Sequence, residues 1–242
     1  MREVQIVELG RSDFRETWVL QRRLAAARKA GAIGDVLLLC EHPHVITLGR
    51  SGRSENLLAS EHVLKQLGVE FILTDRGGDI TYHGPGQIVG YPILNLAEHR
   101  RDVSWYVRQL EETMLQTTAD FGINALRMQG HTGVWVQEQG ENSKLGAIGV
   151  HLSRWVTSHG FAYNVTSDLR FFDLIVPCGI SRGRVTSLER LLKRTIFIPE
   201  VLQHLVVRFG EVFESEAHRA TREELERALS SFEKSLEPAA AW

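Results

Sequence analysis

The stretch that most constrains this chain is Arg76-Gly77-Gly78-Asp79-Ile80-Thr81-Tyr82-His83-Gly84-Pro85-Gly86-Gln87. Four glycines, a proline, two charged residues and a histidine fall within twelve positions, between apolar strand-like runs at Val69 to Leu73 and Ile88 to Leu94. Paired glycines permit positive φ and close approach of the backbone to a ligand. A polar loop of this kind, held between two strands, is where binding chemistry concentrates. A plain surface turn would need fewer such residues, so the loop is expected to hold a substrate.

The rest of the chain supplies a scaffold for it. Val4 to Leu9 reads as a short strand, and Asp13 to Ala30 as an amphipathic helix opened by the Asp13/Glu16 pair and ended by Gly31. Val36 to Cys40 reads as a buried strand, with a second short strand after Pro43. Asn56 to Leu67 suggests a helix stopped by Gly68, and Asp102 to Phe121 the longest helix, with Val103, Val107, Leu110, Met114 and Phe121 on one face. Four short strands are expected at Ile123 to Arg127, Gly133 to Val136, Leu145 to Leu152 and Gly160 to Val165, and a further one at Phe172 to Val176. Thr186/Glu189 and Thr221/Glu224 have the spacing of capping boxes, and Pro199 suits a first helical position. The expectation is an α/β (α+β) chain with a mixed, largely antiparallel sheet and packed helices. Residues 1–195 would form the catalytic domain and 196–242 a C-terminal helical extension packed on it.

Composition narrows the class of function. A formal charge of −2 argues against binding nucleic acid through overall positive charge. No run reaches the roughly 18 to 20 apolar residues that span a bilayer, and the start lacks the layout of a signal peptide. Two cysteines without CxxC or zinc spacing suggest a reduced, cytoplasmic setting and no metal site. Cys40 ends an apolar run and reads as a small buried residue, whereas Cys178, between Pro177 and Gly179, is the candidate nucleophile. A thiol of ordinary pKa, about 8.5, needs a neighbouring cation or base to react at neutral pH. Lys144, opening the glycine-bearing strand Leu145-Gly146-Ala147-Ile148-Gly149-Val150, is the candidate activator. His83 is the histidine placed to orient a substrate carbonyl.

Three motifs together resemble the octanoyltransferase family of lipoate biosynthesis. They are Arg76 to Pro92; Lys144 to Val150, with Thr132 to Val136 before it and His159 to Val165 after; and Ile175 to Ile180 followed by Val185 to Leu188. With Glu41-His42-Pro43 and Thr47-Leu48-Gly49, the resemblance spans roughly residues 30 to 192. It implies the biotin/lipoate protein ligase fold and transfer of an octanoyl group from octanoyl-acyl carrier protein. The acceptors would be lysines of lipoyl domains in 2-oxoacid dehydrogenase complexes and of the glycine cleavage H protein. By the same resemblance, Cys178 would carry the group as a thioester, with Lys144 lowering the thiol's pKa. Arg76, Gly77, Gly78, Asp79, Ile80, Thr81, Tyr82 and His83, with Ala147, Ile148, Gly149, Gly160, Phe161 and Ala162, would bind the acyl chain. No cofactor, ATP or metal is implied, and a monomer is expected. Backbone N–H groups at Lys144 to Gly146 or at the Gly77–Gly78 turn are candidate oxyanion donors. Trp155, Ser158 and Tyr163 depart from the family pattern beside the acyl site. A docking face for an acidic carrier would be basic: Arg22, Arg23, Arg28 and Lys29, or Arg182, Arg184, Arg190, Lys193 and Arg194. The rival readings are an ATP-dependent lipoate ligase, a non-catalytic carrier-binding protein of the same fold, and a cysteine hydrolase.

Overall fold

The computed structural model describes residues 2–138, 140–176 and 185–236. Its centre is an eight-stranded sheet of β1 (Arg2–Arg11), β2 (Asp35–Glu41), β6 (Gln87–Ile93), β7 (Ala125–Met128), β8 (His131–Glu138), β9 (Glu141–Ser153), β10 (Val156–Asn164) and β11 (Ser215–Arg219). The spatial order is β11-β1-β2-β6-β10-β9-β8-β7. β1 runs parallel to both β2 and β11, and the remaining pairs are antiparallel. The sheet is therefore mixed and largely antiparallel, as the short turn-linked strands lead one to expect.

Two helices cover one face and two the other. α1 (Phe14–Lys29) is capped by the Asp13 carboxylate, which accepts from the Glu16 N–H at 3.0 Å. It packs with α6 (Arg222–Leu236) over the side chains of Leu38, Cys40, Val89, Tyr91 and Ala162. α3 (Val103–Asp120), capped by Asp102, and α5 (Ile198–Val212), with Pro199 in its first turn, cover the opposite face. Leu110 and Met114 are fully buried there, but Val103 is exposed. The Thr221/Glu224 box forms as expected, with both reciprocal bonds in place.

A second, three-stranded sheet sits beside the first: β3 (Val45–Leu48) between β4 (Glu70–Leu73) and β5 (Ile80–His83). This corrects the reading of Arg76 to Gln87 as one long loop. Ile80 to His83 pairs with β3 as a strand, leaving a turn on either side. Other expectations shift as well. α2 (Glu61–Leu67) begins at Glu61, because Ser60 caps it by accepting from the Val63 N–H, although Gly68 ends it as expected. Phe172 to Val176 is not a strand: a 3-10 helix covers Leu169–Leu174, and Ile175 makes one bridge to Leu57. Ser187, not Thr186, caps α4 (Leu188–Leu192). The segment after residue 195 contributes β11 to the sheet edge in addition to its two helices.

Candidate active site

Where the two sheets meet they enclose a mostly apolar cavity of about 380 Å³, a size typical of small-ligand sites. Its roof is the turn between β4 and β5. Arg76 is buried there, and its guanidinium donates to the Thr47 carbonyl at 2.7 Å, to the Thr47 hydroxyl at 3.0 and 3.2 Å, and to the Gly77 carbonyl at 3.1 Å. Asp79 accepts from Asn56 Nδ2 at 2.6 Å, from its neighbour's Ile80 N–H at 2.7 Å and from the Arg53 N–H at 3.3 Å. The roof is bolted to the main sheet twice. The Gly77 N–H donates to the Val150 carbonyl at 2.8 Å, and His159 Nε2 donates to Asp75 Oδ1 at 2.7 Å. The latter bond holds the Asp75 carboxyl down at about 2. With its N–H engaged, Gly77 is excluded as an oxyanion donor, whereas the Gly78 N–H has no partner among the described residues.

The floor is set by register. One line of side chains runs Cys40–Val89–Ala162–Ala147 across β2, β6, β10 and β9. The next holds Leu38 with Tyr91 and Gly160 with Gly149. Glycine is required at 149: a Cβ there would lie 2.9 Å from the Gly77 carbonyl oxygen and 3.1 Å from the Arg76 side chain. Gly160, Phe161, Ala162, Ala147, Ile148 and Gly149 all line the cavity, as do Arg76 to Thr81 and His83.

Lys144 reaches the same cavity through a bulge. The pairing of β8 with β9 slips between Val134↔Gly146 and Trp135↔Lys144, which leaves Leu145 without an opposite residue. Leu145 is buried in the core on the α3 face, where Gly146 abuts Met114. Lys144 and Ala147, three residues apart, thereby share the cavity side, as a bulge permits and a regular pleat does not. The Lys144 ammonium lies 4.6 Å from the centre of the Trp135 ring. The Lys144 backbone bridges Val185, its carbonyl accepting from the Thr186 N–H at 3.0 Å. Cys178, Arg182 and Arg184 lie outside the described residues. The flanks of their segment are anchored at this site: Val185 lines the cavity, and the Val176 N–H donates to the carbonyl of Asn56, the residue that holds Asp79.

His83 is buried and neutral. Burial pushes its pKa down to about 3, with His42 adding to the effect. Gln87 Nε2 donates to the Tyr82 carbonyl at 3.2 Å and to Asn164 Oδ1 at 2.9 Å, so its Oε1 faces His83 Nδ1 at 2.8 Å as acceptor. That fixes the proton on Nδ1 and leaves Nε2 as an acceptor. Asn164 in turn donates to the Thr186 carbonyl at 3.1 Å, which links His83 to the Lys144–Val185 corner.

Several expectations are redrawn. Tyr82 does not line the cavity; its ring stacks on Phe171, and its hydroxyl meets His44 Nδ1 at 2.7 Å. Tyr163 lies on the α3 face, its hydroxyl donating to Thr118 at 2.6 Å, so this departure from the family pattern does not touch the cavity. Trp155 sits with Arg154 at the tight β9–β10 turn, both at positive φ. Cys40 is buried, its thiol pushed up by burial. On α1, Arg23 is paired with Glu226 and Glu233, and Arg28 is buried against Asp35 and Glu98, so that face is largely neutralised from within. Among the described residues, no three His, Cys, Asp or Glu side chains group as metal ligands, and no helix is long and apolar enough to cross a membrane. Val89, Tyr91, Gln87, His159 and Asn164 were not singled out from the sequence as site residues. The available signal is the alternation of Gln87, Val89 and Tyr91 on β6 and of Asn164 with Gly160 and Ala162 on β10; His159 lies off that alternation, at positive φ.

The model of the lipoyl protein ligase A/B catalytic domain matches residues 13–210. An octanoyltransferase of Solibacter usitatus is 52% identical over 216 residues, covering 89% of this chain and 96% of that protein. One of Acidobacterium capsulatum is 50% identical over 221 residues, covering 87% and 90%. Among solved structures, a bipartite lipoate protein ligase of Thermoplasma acidophilum superposes with a TM-score of 0.75 at 18% identity, covering 98% of this chain and 94% of that one. A lipoate-protein ligase A bound with ATP gives 0.74 at 17%, covering 97% and 95%. These two establish the shared fold, and the identity and coverage of the first two place the chain in the octanoyltransferase family of the lipoyl protein ligase A/B catalytic domain.

Proposed function

We propose that the protein transfers an octanoyl group from octanoyl-acyl carrier protein to a lysine of a lipoyl domain, or of the glycine cleavage H protein, through a thioester on Cys178. The observation that carries this reading is the apolar cavity lined by Lys144 and Val185, in a chain about half identical to octanoyltransferases. The Cys178 thiolate attacks the carbonyl carbon of the carrier thioester, the C–S bond to the carrier breaks, and the carrier thiolate leaves and takes up a proton. The neutral amine of the target lysine then attacks the acyl-enzyme, releasing the Cys178 thiolate and an amide. Lys144 as an ammonium stabilises the thiolate, gives its proton to the departing carrier sulfur and, once neutral, accepts one from the attacking amine. The Gly78 N–H is a donor suited to the developing oxyanion. Neutral His83, with Nε2 as acceptor, orients the incoming amine and not, as the sequence led one to expect, a substrate carbonyl, which would need a donor there.

An ATP-dependent ligase shares the fold, but its solved examples stand at 17–18% identity, against 50–52% for the octanoyltransferases. The experiment is octanoylation of a lipoyl domain measured from two donors. Octanoyl-carrier without ATP should serve, and free octanoate with ATP should not; the reverse result would establish the ligase. A carrier-docking face is proposed at Arg182, Arg184, Arg190, Lys193 and Arg194. Charge reversal at Arg182 and Arg184 should slow the carrier donor more than a small thioester.

A further inference from the structure

The two lines of side chains on the cavity floor change size in the same direction. Ala147 and Ala162 give way to Val89, and Gly149 and Gly160 to Tyr91, so the floor is shallow on β9 and β10 and rises on β6. Val89 and Tyr91 are both buried, backed by Cys40 and Leu38 of β2 in the same register. The Tyr91 ring is also pinned from behind. Its hydroxyl donates to His42 Nε2 at 2.7 Å, because His42 Nδ1 donates to the Ser12 carbonyl at 2.7 Å. Phe14, at the start of α1, lines the same end and packs on His42 at 5.3 Å between ring centres.

We infer that Val89 and Tyr91 form the end wall of an acyl channel that runs obliquely from Lys144 over Ala147 and Ala162, and that this wall sets the length of chain accepted. The inference rests on the octanoyl-transfer reading for the identity of its ligand. Val89 stands across from Ala147 and not from Lys144, so the path from Lys144 runs two to three residues along β9, about 7–10 Å, and two strand spacings across, about 10 Å, a diagonal of about 12–14 Å. An extended eight-carbon chain, at about 1.2 Å per bond as along an extended polypeptide, needs about 8 Å of it. A course straight along β9 is of similar length; what distinguishes the oblique one is its rigid stop at buried Val89 and Tyr91.

The test measures binding of hexanoate, octanoate, decanoate and dodecanoate by calorimetry to the wild type, Val89→Ala and Ala162→Val, with thermal midpoints to confirm folding. Val89→Ala deepens the channel and should move the preference from octanoate toward decanoate. Ala162→Val fills its middle and should move the preference toward hexanoate. Each methylene gaining or losing its place should change the affinity ratio about fourfold. Variants that scale all four affinities alike would overturn the assignment in favour of a channel running along the strands. Failure of the transfer reading shows separately: the wild type would take no octanoyl group from its carrier while the binding ratios still shifted, and the wall would stand.

Discussion

The roof of the cavity, Arg76 to Thr81, is held by buried side-chain hydrogen bonds added to its backbone ones, whereas its floor on β9 and β10 is shaped by side chains that are absent or reduced to a methyl group. The two halves therefore fail in opposite ways. The roof is broken by removing atoms, since buried polar partners are left unsatisfied. The floor is broken by adding them, since the close approach of strand and turn leaves no space. A substitution that is harmless on one half is damaging on the other, and this asymmetry can be measured.

The largest effect is expected at Arg76. Arg76→Met leaves Thr47 without its guanidinium and frees the turn. It should cost about 2–4 kcal/mol in urea unfolding and about a hundredfold in kcat/KM through misplacement of the roof. An unchanged urea midpoint would show that the turn is held by backbone alone. Acid should act next, through the histidines behind the roof and end wall. Burial holds His83 at about 3 and His42 at about 4, below the ordinary 6.5. Both rings stay neutral in the folded state while the unfolded chain takes up protons. Stability is thus complete above pH 6.5 and falls as the pH drops toward 4 and then 3, by about 2 kcal/mol for each ring at pH 5. His83→Gln should remove its half of that slope in denaturant titrations at several pH values; an equal slope would locate the titration elsewhere.

On the floor, Gly149→Ala places a Cβ against the Gly77 carbonyl oxygen and should cost about 1–3 kcal/mol. Its signature is a raised KM for the acyl donor, and a normal KM would mean that the turn can lift without consequence. The smallest effect is expected away from both halves. Arg23→Ala breaks a half-exposed link between α1 and α6 and should cost below about 1 kcal/mol, with kcat/KM unchanged.

The sequence discloses the roof better than the floor. A run of glycines with Arg76 and Asp79 marks a binding turn by composition alone, and local caps at Asp13, Asp102 and Thr221 mark three helices. β5 stays hidden in that run because it is four residues long and bounded by glycine turns. β11 stays hidden because Ser215 to Arg219 is polar, an edge strand with one neighbour and no need of an apolar face. The floor and its end wall depend on register between strands distant in the chain. Val89 meets Ala162 only once β6 and β10 are paired. The position of Lys144 depends on a bulge, which no local spacing announces. The resemblance to a family named the floor residues, but it did not say which of them lie side by side.

An acyl-enzyme on Cys178, supported by Lys144, would be seen in the intact mass of the protein after mixing with octanoyl-acyl carrier protein. One octanoyl group should add to the wild type, none to Cys178→Ser, and the adduct should appear more slowly on Lys144→Ala. Octanoylation of a lipoyl domain by Cys178→Ser at the wild-type rate, with no adduct on either protein, would contradict the acyl-enzyme and mean direct transfer from carrier to acceptor.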